Sequence, residues 1–242
     1  MTDSAVPAAS DAPSPNDGKT LEVAVDGVRY ERIPLKTRVL MPGDALDPFV
    51  IEYAREAVRP GDWLFVTEKV VAISQGRSYP MEGIRPRPLA RTLSRYVTKT
   101  SHGIGLGIPE TMEFALRECG TPRILFAAAV AAVTKKLGRT GDFYRIAGPK
   151  ARGIDGPTAH TIPPYNHHVV LVPDRPREVA RHLQGLLGGG IEVLVVDIND
   201  IGGNILGSTL SRDDERLAVR ILRDNPLGQK HESTPLGIIR RS

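Results

Sequence analysis

Apolar positions along the chain fall into two periods. Leu21–Val28 alternates apolar and polar, Tyr30–Pro34 continues extended, and Asp26-Gly27 lies between them, which predicts an opening strand or hairpin. Trp63–Thr67 and Val193–Val196 are short apolar runs bounded by Gly- and Asp-rich turns, the pattern of strands buried on both faces. The first runs on through Glu68-Lys69 into Val70–Ser74, so the charged pair either sits at a strand end or faces a site. Further strands are expected at Phe143–Ile146, His168–Val172 and Leu236–Ile239, with Thr161–Asn166 extended.

Helical spacing appears elsewhere. One helix is expected through Val58, with Asp47 as N-cap and Pro48 in its first turn. Another runs from Pro109 to Gly120, burying Met112, Ala115, Leu116 and Cys119. Arg123–Leu137 reads as strand-then-helix or as one apolar helix. Asp174 opens a helix to Leu187, and Ser211-x-x-Asp214 is a capping arrangement for one through Arg223. The expected class is α/β (mixed α+β), with mixed sheets and flanking helices over residues 21–242. Residues 1–20, rich in Ala, Ser, Pro and Asp, read as a disordered tail.

Composition narrows the partners. At 242 residues and 40% hydrophobic the chain can bury a substantial core. A net charge of +4, with aromatics at 5% and no basic stripe, favours a small anionic ligand over nucleic acid. The longest apolar run, Ile124–Val133, is too short to cross a bilayer. Cys119 is the sole cysteine, so no internal disulfide or Cys-based metal site can form; a reducing cytoplasm is the expected location.

The candidate chemistry is acidic. Asp155 centres a turn-rich loop, and the Val193–Val196 run ends in Asp197, Asn199 and Asp200. Polar oxygens at the exit of a buried strand are where open α/β sheets place ligands. Converging, these groups would suit Mg²⁺ or Mn²⁺ shared with phosphate oxygens; an ordinary Gly-rich turn is the alternative. Lys230, Ser233 and Thr234 in the closing loop offer a point charge and hydroxyls to phosphate. Neither a P-loop nor a Gly-x-Ser-x-Gly elbow is present, and the six histidines read as structural.

Taken in order, several of these stretches resemble the coenzyme F-420-0: L-glutamate ligases (gamma-glutamyl ligases). They are Leu40–Leu46, Gly61–Arg77, Gly153-Ile-Asp155, Val172-Pro-Asp-Arg-Pro176, Val195–Asn199 and Leu227–Arg240. The resemblance implies a mixed α/β scaffold in an interlocked homodimer. It implies a ligase that uses GTP and Mg²⁺ or Mn²⁺, with room for a monovalent cation, to add L-glutamate to a deazaflavin coenzyme precursor through an acyl phosphate. Asp155 and Asp197, with Asn199 and Asp200, would then hold metal. Thr37, Arg38, Val39, Leu40, Glu68, Lys69, Thr158 and the loop Leu227, Gly228, Gln229, Lys230, His231, Glu232, Ser233, Thr234 would line the nucleotide. Gln229 stands where the family has an acidic ligand, Ile198 where a hydroxyl is usual, and Thr158 replaces an Asn. Two alternatives stay open: the same scaffold with another carboxylate or amine, and a non-catalytic nucleotide- or anion-binding dimer.

Overall fold

The computed structural model describes residues 14–97, 104–159, 161–199, 202–228 and 232–242, with only the backbone of Asn199. The opening hairpin is present. β1 (Glu22–Val25) pairs antiparallel with β2 (Val28–Leu35) across Asp26-Gly27. Both turn residues have positive φ, 52° and 78°, as a tight two-residue hairpin turn demands.

Four more strands complete a mixed sheet. β3 (Trp63–Thr67) and β6 (Glu192–Asn199) run parallel side by side. β8 (Leu236–Arg241) lies antiparallel between β2 and β3, and β7 (Gly202–Ser208) pairs antiparallel with β6 at the edge. The strand order is β1-β2-β8-β3-β6-β7. Alternate residues explain why the central runs are apolar throughout. Leu64, Val66, Val193, Val195, Leu236 and Ile238 point into one core, under α1 (Leu46–Ala54), α2 (Glu68–Ser74) and α8 (Pro176–Leu186). Phe65, Leu194, Val196 and Ile239 point into another, under α9 (Arg212–Ile221). Strands covered on both faces need no polar alternation.

A third core lies in the middle of the chain. It is built from α3 (Pro88–Ser94), α4 (Pro109–Glu118), α5 (Thr121–Lys136), α6 (Asp142–Ala147), α7 (Pro149–Arg152) and the small antiparallel pair β4 (Ser78–Pro80) and β5 (His168–Val170). Arg123–Lys136 is therefore helical throughout, within α5, and Leu137 caps it. Only one side of α5 is covered: Ile124 and Ala127 are fully buried, whereas Leu125, Phe126, Val133 and Leu137 are 42–74% exposed.

Several expectations are corrected. Glu68–Ser74 is not a continued strand but a helix whose Val70, Val71, Ala72 and Ile73 are all buried, so burial on every side hides the helical period. Phe143–Ile146 lies in α6. Thr161–Asn166 is a tight turn with a cis Pro163-Pro164 bond, not an extended segment. The first helix starts at Leu46, leaving Asp47 inside its first turn, where its carboxylate accepts from His182 Nε2 at 2.8 Å. The Ser211 cap is as expected, its Oγ accepting from Asp214 N at 3.2 Å. Residues 1–13 of the expected tail lie outside the described residues; of residues 14–20 Asn16 is buried, at 6% exposure, while 14, 15, 17, 18 and 20 are exposed.

Candidate functional site at the ends of the parallel strands

The site begins with strand register. Thr67 of β3 stands opposite Val196 of β6, where the parallel pairing ends; the next residues are Glu68, the first of α2, and Asp197, which stays in β6 opposite Asn204 of β7. Neighbouring strands lie about 4.8 Å apart, and both side chains emerge at the same edge. A bulge between Val195 and Val196, in the pairing of β6 with β7, falls just before Asp197; bulges twist a strand and re-aim its side chains.

Asp155 arrives from the middle of the chain. Its backbone forms an isolated bridge to β5: Asp155 N donates to Val170 O at 2.9 Å, and Val170 N donates to Asp155 O at 3.0 Å. Gly153 makes this approach possible, since a Cβ there would lie 2.2 Å from Val172 Cγ1. Lys69, in the first turn of α2, closes the group with Nζ 3.1 Å from Asp155 Oδ2.

The electrostatics show that the four side chains act on one another. Burial, then Asp197 and Asp155, pushes the Glu68 carboxyl well above the usual carboxylate range, against the pull of Lys69. Burial and Asp155 raise Asp197, again opposed by Lys69. Burial works to lower Lys69, but Asp155, with Glu68 and Asp197 behind it, outweighs burial and the ammonium is held above its ordinary value. Lys69 is thus paired directly with Asp155, while Glu68 and Asp197 act on it through their charge.

Among the described residues the carboxylates of Glu68, Asp155 and Asp197 gather here around the Lys69 ammonium, and carboxylate oxygen is the donor chemistry of Mg²⁺ or Mn²⁺. Among the described residues no three His, Cys, Asp or Glu side chains close into a ready-made metal cage. An incomplete protein shell fits a Mg²⁺-like ion, which commonly takes one or two carboxylates and fills its remaining positions with water and phosphate. Asp155 and Asp197 are the carboxylates here that would hold such an ion; Asp200 and the Asn199 side chain lie outside what is described.

Two other expected stretches come together beside the strand ends. Thr37 N donates to Ser233 O at 3.0 Å, and Ser233 Oγ donates to Thr37 O at 2.8 Å. Thr67 N donates to Pro235 O at 2.9 Å, so the end of the closing segment abuts the residue before Glu68. Arg38 stacks 5.5 Å over Phe49 and pairs with Asp44, while Val39 is half-buried beside it. Leu40 and Leu227 are core residues whose side chains are not available to a ligand. Thr158 shares a 2.9 Å hydroxyl contact with Thr161. Gly228 and Glu232 flank Gln229, Lys230 and His231, which lie outside the described residues. Sequence reasoning missed β7 and the buried Asn16, which donates to Thr234 Oγ1 at 2.9 Å. β7 has no regular alternation, and a lone Asn in a Pro- and Ala-rich segment carries no periodic signal.

A mixed sheet that delivers an acidic group to the ends of paired parallel strands defines a small-molecule site of the kind α/β enzymes use. The family model of the F420-0:Gamma-glutamyl ligases matches residues 34–206, and the chain belongs to that family. It is 27% identical over 177 residues to the coenzyme F420:L-glutamate ligase of Methanopyrus kandleri strain AV19. That similarity covers 70% of this chain and 59% of the relative, so the chain spans about three-fifths of the length of the curated protein it matches. The matched residues include Thr37–Leu40, Glu68, Lys69, Asp155, Thr158 and Asp197–Asp200, and exclude the closing loop. No helix among the described residues is long and apolar enough to cross a membrane.

Proposed function

We propose that this protein is a GTP- and divalent-metal-dependent ligase that adds L-glutamate to the coenzyme F420 precursor. The observation that carries the reading is the meeting of Glu68, Lys69, Asp155 and Asp197 at the ends of β3 and β6. In the reaction a substrate carboxylate oxygen attacks the γ-phosphorus of GTP, the bond to the β,γ-bridging oxygen breaks, and GDP leaves. The glutamate amine then attacks the acyl phosphate carbonyl, the C–O bond to phosphate breaks, and the amine proton passes to solvent or phosphate.

Charge development dominates such a transfer, so positioning and electrostatics are the protein's main contribution. Asp155 and Asp197 would hold the ion, which when bound neutralises phosphate charge. Lys69 supplies a second positive charge, steadied by Asp155 until phosphate competes for it. Thr37 and Ser233, locked to each other beside the strand ends, would fix the backbone against which the nucleotide lies. Asn199, Asp200, Gln229, Lys230 and His231 retain their proposed places on the metal or nucleotide.

A homodimer forms part of the proposal. It is supported by the uncovered apolar side of α5, where Leu125, Phe126 and Val133 face solvent on one helix; large exposed apolar patches mark association surfaces.

Incubating the protein with GTP, Mn²⁺, L-glutamate and the deazaflavin precursor, followed by mass analysis, tests the reaction. The expected result is a product heavier by one glutamyl residue. GTP binding without that product would favour a different carboxylate or amine on the same scaffold.

A further inference from the structure

Residues 14–33 precede the family-matched span, yet the first of them are built into the protein beside the closing segment. We propose that Asn16 is a positioning residue for nucleotide binding, and that residues 14–20 form a clasp holding the closing segment in register with the strand ends. The inference rests on the proposed nucleotide role of that segment.

The clasp is anchored at several points. Asn16 Nδ2 donates to Pro226 O at 3.2 Å and to Thr234 Oγ1 at 2.9 Å, bridging the two ends of the closing loop. Thr234 Oγ1 in turn donates to Leu227 O at 2.7 Å, closing the same loop from within. Lys19 Nζ donates to Asp224 O at 2.7 Å. Beneath them lies Arg32, 1% exposed, whose guanidinium donates to Thr20 O and Thr20 Oγ1, both at 2.8 Å, to Ile221 O at 3.1 Å, and to Asp224. One buried cation therefore ties the arm to the end of α9, where the closing segment starts. Gly228 completes the fit: its φ is +70°, and a Cβ there would lie 3.2 Å from Asn16 Cβ.

A path of bonds leads from this clasp to the site. Thr234 lies between Ser233, which exchanges two hydrogen bonds with Thr37, and Pro235, whose carbonyl accepts from Thr67 N next to Glu68. Asn16 touches none of the charged residues at the strand ends. Its effect is therefore to fix, through the buried Thr234, the backbone on which Ser233 is presented, reducing the ordering that nucleotide binding would otherwise have to impose. Removing the buried amide takes its donor from Pro226 O and one of its bonds from Thr234 Oγ1, loosening the loop ends while the Thr234–Leu227 bond remains.

The test combines amide hydrogen exchange of the ligand-free full-length protein with calorimetric titration of GTP in the presence of Mn²⁺, for wild type, Asn16→Ala and Thr234→Val. Thr234→Val removes the acceptor of the Asn16 bond together with the bond to Leu227 O, so its exchange pattern, and not its affinity, is the second readout should Asn16→Ala fold poorly. The expected result for Asn16→Ala is about tenfold faster exchange at 224–228 and 232–235, with the β3 and β6 amides unchanged. GTP affinity should fall by about tenfold, while turnover at saturating GTP stays within about twofold. Thr234→Val should show the same exchange pattern. Wild-type binding of GTP with unchanged exchange and affinity in Asn16→Ala would overturn the clasp alone. Absence of GTP binding by wild type would instead overturn the nucleotide reading, and the positioning role with it.

Discussion

Lys69 Nζ lies 3.1 Å from Asp155 Oδ2, joining the first turn of α2 to a loop 86 residues further along the chain. Both side chains are partly exposed, 36% and 50%, so the pair contributes at most about 1 kcal/mol to stability. Its proposed value lies in transition-state charge. Lys69→Met should therefore lower the ligation rate by about a hundredfold or more while moving the melting temperature little. Steady-state kinetics beside a thermal melt check this; a large melting shift with unchanged rate would assign the pair a structural role.

Asp197 is an unfavourable residue in the ion-free protein, because burial and Asp155 both oppose its charge. Asp197→Asn keeps the shape and removes the repulsion. Without metal it should melt at or above the wild-type temperature, as expected where function is held at some cost in stability. It should also lose the Mn²⁺-induced stabilisation expected of wild type. Calorimetric melts with and without Mn²⁺ measure both effects.

Glu113 provides the pH-dependent element of the helical region. Its side chain is 1% exposed, and it accepts from Arg87 N, Arg87 Nε and Arg117 Nε. Burial works to raise its carboxyl, but these hydrogen bonds outweigh burial and hold it below the usual range. A lowered folded-state value stabilises the fold above the unfolded-state pKa, and that stability is lost as pH falls through the folded-state value. Glu113→Gln should cost about 1–3 kcal/mol at neutral pH, with the deficit shrinking as the pH falls through and below the usual carboxylate range. Denaturant titrations across that range test the sign; a deficit that grows on acidification would contradict it.

Phe126 is 61% exposed on the uncovered side of α5. Phe126→Glu should leave the fold intact and give a particle of half the wild-type mass by light scattering. An unchanged mass would place the dimer contact elsewhere or remove it.

Much of the sheet was legible because its central strands are apolar on both faces, and Val193–Val196 could hardly be another kind of element in that Gly-rich setting. The hairpin at Asp26-Gly27 and the cap at Ser211 were legible for local reasons of backbone and side-chain chemistry. The helix after Thr67 was not: with Val70, Val71, Ala72 and Ile73 all buried, the usual polar face is missing. Asp155 and Asp197 were readable as candidates, but their meeting depends on the β3–β6 register and the Asp155–Val170 bridge, which link residues far apart in sequence. Glu68 and Lys69 presented two alternatives in the sequence, and the fold realises both, since the strand ends at Thr67 and the pair faces the acidic group. Asn16 was hidden because its role depends on Pro226 and Thr234, more than 200 residues away.

The most direct measurement is Mn²⁺ binding followed by electron paramagnetic resonance, with and without a non-hydrolysable GTP analogue, in wild type and in Asp155→Asn and Asp197→Asn. Wild type should bind Mn²⁺ weakly alone and at least about tenfold more tightly with the analogue, and each variant should lose that gain. Equal Mn²⁺ and analogue binding in all three proteins would contradict the assignment of Asp155 and Asp197 to the metal–nucleotide centre.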